Sequence, residues 1–286
     1  MKVKIALLQM SMAPSHGANI QKALNLCMDA AKKGANVICL PEVFASPYFP
    51  QYKDFKFDDY LEKNNATVEK FQEIAKKNQT VIVLGSLFVK EKNGNFNIAY
   101  VIDADGKLLG GYEKTHIPHD PQFYEQNYFA PGETGFKVFT TKYGKIAPLI
   151  CYDQWFPEAA RAAALAGAEI IVYPTAIGVA AGVEQTEGNW QEAWEAVQRG
   201  HAVANSVVVA TINRVGTEDE MKFWGGSFLY DQFGTLIAHA NDKEGITIGE
   251  IDLELQKQVR EGWRFMKERR PHHYTALTDK KLVHKK

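Results

Sequence analysis

Nine short runs rich in β-forming residues punctuate this chain, and few of them alternate apolar with polar. They are Lys4–Met10, Val37–Leu40, Val81–Val89, Ile98–Asp103, Ile146–Cys151, Glu169–Tyr173, Val207–Ile212, Ser227–Tyr230 and Thr247–Ile251. Successive strand residues point to opposite faces, so a run without alternation has to bury both of them. Such strands must be covered on both sides, by helices or by a second sheet. Covering helices are legible too. Across Ala18–Lys33 the apolar Ile20, Ala23, Leu24, Cys27 and Ala31 keep the three-and-four spacing of one helical face. Comparable patterns predict helices near Val68–Asn78, Pro157–Ala166 and Trp190–Ala204. Asp103–Gly106 and Asp231–Gly234 each sit between strand-like runs and predict hairpin turns. The expectation is one α/β domain over residues 1–286, with mixed strands flanked by helices and a frayed tail from about residue 275.

The 286 residues are 45% hydrophobic and 23% charged, which supplies apolar mass for a large core. Lys and Arg total 33 against 34 Asp and Glu, so the net charge is −1. That balance gives no electrostatic reason to expect nucleic acid or a membrane surface as partner. Three cysteines, Cys27, Cys39 and Cys151, make a poor disulfide framework and suit a reducing compartment. The apolar stretch Ile5–Leu8 is interrupted by Gln9 and Ser11, too soon for a signal peptide, and no run approaches the ~20 residues of a membrane span. The expected location is therefore cytoplasmic. Asn-X-Thr triplets at Asn65 and Asn78 then carry no weight as glycosylation sites.

Among the chemical side chains, Cys151 stands where the strand-like Lys145–Ile150 gives way to a turn and then to a helix opened by Pro157. A thiol at such a turn is exposed to outward-pointing N–H groups, which can stabilise a thiolate and the oxyanion made when it attacks a carbonyl. A buried structural cysteine is the competing reading, and it is the preferred one for Cys27 and Cys39, which sit inside apolar patterns. Glu42 ends the apolar strand Val37-Ile-Cys-Leu-Pro-Glu42, where a carboxylate facing a cleft can act as a base. Lys114 lies just past the strand that follows the first hairpin, where a positioned ammonium can serve an oxyanion. Glu125 is a single acid among the aromatics of Gln122-Phe-Tyr-Glu125. Singly, Glu42 and Lys114 read better as solvated surface residues, and Glu125 hints at a lined pocket. Together, a thiol, a base and a cation near strand ends are the minimum set for acyl transfer through a thioester. The patternless stretches Phe44–Asp59, His116–Gly135 and Gly178–Asn189 follow these positions and are read as walls of a pocket.

Leu40-Pro-Glu42, Tyr112-Glu-Lys-Thr-His116 and Ile150-Cys-Tyr-Asp153 followed by Phe156-Pro-Glu-Ala159 resemble the three signature segments of the nitrilase, or carbon–nitrogen hydrolase, superfamily. The resemblance covers nearly the whole chain. It implies a four-layer αββα sandwich, Cys151 as nucleophile, Glu42 as general base, Lys114 as oxyanion-stabilising cation, and Glu125 as the acid that orients the lysine or passes protons. It also implies no metal, no organic cofactor and a homo-oligomer built from dimers.

Asp120–Glu125, Phe129–Gly132, Thr134–Phe139, Asp153–Arg161 and Tyr173–Gly178 look most like the branch of that superfamily that acts on N-carbamoylputrescine. Tyr152 departs from that branch, where tryptophan is expected, but its backbone N–H would serve the oxyanion equally well. Gln154 and Trp155 stand where relatives acting on N-carbamoyl amino acids tend to carry arginines, so a carboxylate would lack its bidentate partner. An ammonium-ended substrate instead needs an acid or an aromatic face. Glu184 and Glu187 are the candidates for it, with Tyr48, His119 and Trp155 lining the way; solvated loop acids are the alternative. A different amide or carbamoyl compound, such as an ω-amide or 3-ureidopropionate, is the rival substrate class. A non-catalytic member of the superfamily is the rival outside enzymes. A metal site at His116, His119, His272 and His273 is disfavoured by Pro118 and by the want of ligands at zinc-like spacing. Neither a phosphate-binding glycine loop nor G-x-S-x-G occurs.

Overall fold

The computed structural model describes residues 1–61, 66–182 and 186–280. Two six-stranded sheets stack face to face. The first runs, in spatial order, Gly245–Asp252, Lys2–Gln9, Val37–Cys39, Val81–Glu91, Gly94–Ile102 and Leu108–Glu113. The second runs Leu236–His239, Phe228–Tyr230, Val208–Asn213, Ile170–Thr175, Gly144–Pro148 and Phe139–Thr141. Three neighbouring parallel strands form the middle of each sheet, with antiparallel strands outside them. Helices α1 (His16–Lys32) and α2 (Ala66–Asn78) cover the outer face of the first sheet, and α3 (Pro157–Leu165) and α4 (Trp190–Asn205) that of the second. This is the αββα sandwich implied by the sequence motifs.

The strand period of two explains why alternation between apolar and polar is missing. In the strand Lys2–Gln9, Val3, Ile5 and Leu7 point inward and meet Ile170, Val172, Val208 and Ala210 of the second sheet. Ala6 and Leu8 point outward and meet Ile20, Ala23 and Cys27 of α1. Both sets are apolar because both faces are covered. Helix starts follow the sequence as well. Ser15 and Asn189 accept from the N–H groups of Ala18 and Glu192 to cap α1 and α4, and Pro157 opens α3. Both expected hairpins form, with Gly106 at φ +87° and Gly234 at φ +75°.

Two expectations differ from what forms. The strand read as Ile146–Cys151 stops at Pro148, and Cys151 begins a 3₁₀ helix, Cys151–Trp155. Helix α5 (Leu253–Trp263) has no counterpart among the expected helices; it is mostly polar and buries only Leu253 and Gln256. The expected tail begins with an exposed 3₁₀ turn, Thr275–Thr278; residues 281–286, and Asn65 of the first Asn-X-Thr triplet, lie outside the described residues. No described helix is long and apolar enough to cross a membrane.

Candidate active site

Glu42, Lys114 and Cys151 all stand just beyond strand ends, on the rim where the two sheets meet. The Glu42 N–H donates to the carbonyl of Thr175 at 3.4 Å, tying the end of a first-sheet strand to one of the second. The turn that carries Glu42 is unusual. Val43 has φ +45°, a left-handed conformation that a β-branched residue seldom adopts. Its N–H donates to Ser86 Oγ at 2.9 Å. Ser86 reaches it because the neighbouring strand bulges at Gly85–Ser86, where pairing with the next strand shifts register. A Cβ at Gly85 would lie 2.1 Å from the Pro41 carbonyl oxygen, so this position requires glycine.

The three charged side chains meet. Lys114 Nζ donates to Glu42 Oε1 at 2.7 Å and to Glu125 Oε2 at 2.5 Å, and all three groups are buried. Asn97 Nδ2 donates to the same Glu42 Oε1 at 2.8 Å, and Tyr48 OH donates to Glu125 Oε1 at 2.8 Å. Glu42 Oε2 is left buried with no hydrogen-bond partner. Burial by itself would lower the Lys114 pKa, but the Glu125 and Glu42 carboxylates together hold it above the usual lysine value. Burial pushes Glu125 up to about 7, against the pull of Lys114 and with the help of Glu42.

Cys151 sits at an elbow with φ +41°, also left-handed and strained. Asp153 holds the elbow. Its Oδ2 accepts from Ile150 N–H at 2.9 Å and Tyr112 OH at 2.8 Å, and its Oδ1 accepts from His116 N–H at 3.0 Å. His116 Nδ1 lies 2.7 Å from the same Oδ1, and its ring stacks on Phe156 at 3.6 Å. One buried carboxylate thus joins the Cys151 elbow to the segment bearing Lys114. The Cys151 sulfur lies 4.0 Å from the Ala176 carbonyl oxygen. Its pKa is raised well above the ordinary thiol value, first by burial and then by the Glu42 charge. The expectation that the turn leaves this thiol exposed is corrected: Cys151 is buried, and burial disfavours the thiolate. Cys27 and Cys39 are fully buried in apolar clusters, as expected for packing residues.

Cys151 and Glu125 line a cavity of about 430 Å³. Around them stand Asp120, Phe123, Tyr152, Trp155, Glu187 and Trp190, with Pro118, Pro121, Ala176, Ile177, Gly178 and Ala180. Two of the three patternless stretches therefore form walls, His116–Gly135 and Gly178–Asn189. The third, Phe44–Asp59, contributes none of the lining; it packs as an aromatic cluster around Phe49. Tyr48, expected along the substrate path, is fully buried behind the cavity on Glu125. His119 is also outside the lining, edge-on to Tyr124. Glu187 is on the cavity wall and accepts from Trp190 Nε1 at 3.2 Å, while Glu184 lies outside the described residues. Trp155 and Tyr152 line the cavity, but Gln154 turns the other way and accepts from Trp194 Nε1 at 2.9 Å. Asn97 carries no sequence signal beyond that of an ordinary polar residue, and only its placement marks it; Asp120 and Asp153 lie inside motif segments, but their contacts are set by the fold. Among the described residues, no group of three or more His, Cys, Asp or Glu is placed to hold a metal ion.

Comparison with known proteins identifies the family. The family model described as carbon-nitrogen hydrolase matches residues 4–261. An N-carbamoylputrescine amidase of Oryza sativa subsp. japonica is 41% identical over 96% of this chain and 94% of its own. A citrullinase of Francisella tularensis is 36% identical over 97% and 99% of the two chains. The crystal structure of a carbon-nitrogen hydrolase from Helicobacter pylori superposes with a TM-score of 0.93 at 39% identity, covering 98% of this chain and 99% of that one. Matches of this extent mean that the chain belongs to the carbon–nitrogen hydrolase family.

Proposed function

We propose that the chain hydrolyses N-carbamoylputrescine to putrescine, carbon dioxide and ammonia through a covalent intermediate on Cys151. The observation that carries the reading is the buried Glu42–Lys114–Glu125 cluster, whose charges act on the buried Cys151 sulfur. Glu42 removes the thiol proton as sulfur attacks the carbamoyl carbon. The oxyanion is held by Lys114 and the Tyr152 N–H. The C–N bond to the alkylamine then breaks, Glu42 returns its proton to the leaving nitrogen, and putrescine departs. Water gives a proton to Glu42 and attacks the S-carbamoyl group, the C–S bond breaks as Glu42 returns that proton to the Cys151 sulfur, and the carbamic acid released falls to carbon dioxide and ammonia. Glu125, with a pKa near neutrality, orients Lys114 and can hold or release a proton during the cycle.

The walls support a substrate with a distal ammonium. Asp120 and Glu187 face the cavity beside the aromatic faces of Phe123, Tyr152, Trp155 and Trp190, and no lysine or arginine is among the described residues that line it. Among those residues a distal carboxylate would find no cation to grip it. The test is ammonia release from N-carbamoylputrescine, citrulline, 3-ureidopropionate, N-carbamoyl amino acids and ω-amides, for wild type and Cys151→Ser. The expected result is highest kcat/KM on N-carbamoylputrescine and loss of about 10³-fold or more in the serine variant. Full activity of Cys151→Ser would remove the covalent mechanism, and preference for a carboxylate-ended substrate would remove the assignment of substrate. The homo-oligomer built from dimers belongs to the same proposal and is read by sedimentation velocity.

A further inference from the structure

We propose that Arg214 is a positioning residue, holding the Glu42 carboxylate through the backbone of its turn and Glu125 through Tyr48. The inference rests on the assignment of Glu42 as base. Arg214 follows the second-sheet strand Val208–Asn213 and is fully buried. Nη2 donates to the Glu42 carbonyl at 2.8 Å and to the Val43 carbonyl at 3.0 Å. Nη1 donates to Glu218 Oε1 at 2.8 Å and Oε2 at 3.1 Å, and to the Ser46 carbonyl at 3.5 Å. Glu218 Oε2 accepts the Tyr48 N–H at 2.6 Å, and the same tyrosine donates its hydroxyl to Glu125. The rings of Tyr48 and Phe223 flank the guanidinium at 5.7 and 5.2 Å.

A second ionic layer thus lies behind the first, and its contacts fall on the turn that aims Glu42. Burying an arginine and a glutamate together gains little over packing apolar groups of the same volume, so stability alone is a weak reason for the pair. What the pair supplies is geometry. Val43 is held in its left-handed conformation from both sides, its N–H by Ser86 and its carbonyl by Arg214. With the adjacent Glu42 carbonyl pinned by the same nitrogen, the peptide plane after Glu42 cannot rotate, and the direction of its side chain is set. A planar fork can hold two carbonyls and a carboxylate at once, whereas the single ammonium of lysine cannot match that pattern.

A double-mutant cycle of Arg214→Lys with Glu42→Gln tests this. The readout is the rate of Cys151 modification by iodoacetamide per folded site, with kcat and KM on N-carbamoylputrescine. Arg214→Lys is expected to slow modification about ten-fold when Glu42 is present and less than about two-fold when it is glutamine, with KM within about three-fold of wild type. Equal slowing in both backgrounds, or no slowing, overturns the positioning role and leaves the role of Glu42 intact. Glu42→Gln having no effect by itself overturns the base assignment and this inference together. Should Arg214→Lys fail to fold, Glu218→Gln is read in the same cycle by the same criteria.

Discussion

Asp153 shows how much a single acceptor can organise. Both carboxylate oxygens are used twice, on groups from two segments that carry the proposed catalytic side chains. An asparagine in its place would present an amide N–H₂ to one pair of those donors, so Asp153→Asn should leave buried groups facing donor to donor. The expected cost is about 2–4 kcal/mol of stability. We also expect a fall in kcat of about ten-fold or more with a smaller change in KM, because the elbow and the lysine segment lose their common anchor. Thermal unfolding and steady-state kinetics check both; wild-type values would show that the anchor is dispensable. The same scale explains the limit of motif reading. Glu42, Lys114 and Cys151 were marked by their neighbours in the chain, whereas Asn97 is a single polar residue whose meaning is set by what lies across the cleft.

Among the elements, the bulged strand Val81–Glu91 does most to shape the Glu42 turn. The bulge lets Ser86 Oγ reach Val43 and lets the Ser86 N–H donate to the Pro41 carbonyl at 3.3 Å. Gly85 makes this possible with φ +37° and no side chain. Gly85→Ala should therefore cost about 2–4 kcal/mol, more than the ordinary glycine-to-alanine change, because a Cβ meets backbone that cannot move aside. Denaturant unfolding measures it, and Gly200→Ala, in α4 with nothing near its absent side chain, is the control that should be neutral or stabilising. Strands and helices with both faces buried were legible from their apolar spacing. Helix α5, the bulge and the small sheet of Gly178–Ala180, Val215–Glu218 and Met221–Trp224 were not, because their shapes follow from partners distant in sequence.

For the molecule as a whole, the site places two carboxylates and an ammonium at a junction of two apolar sheets, and stability should carry its signature. Glu125 binds its proton more tightly in the fold than in the unfolded chain, with a pKa raised to about 7 from 4.5. Its contribution is thus complete below about pH 4.5, is lost as pH rises to about 7, and is level above that. The Tm difference between Glu125→Gln and wild type should shift in favour of the variant across that window and then hold constant. A difference independent of pH would show that Glu125 titrates normally in the fold. From the sequence alone came the strand-and-helix layering, the packing role of two cysteines and the family, since local periodicity and short motifs record which faces are buried. Tertiary structure decided that Tyr48 supports Glu125 from behind, that His119 stands aside, that the Cys151 thiol is buried, and that Arg214 grips the Glu42 turn. Those outcomes depend on distances and desolvation between residues up to 172 positions apart, which no local pattern of residues encodes.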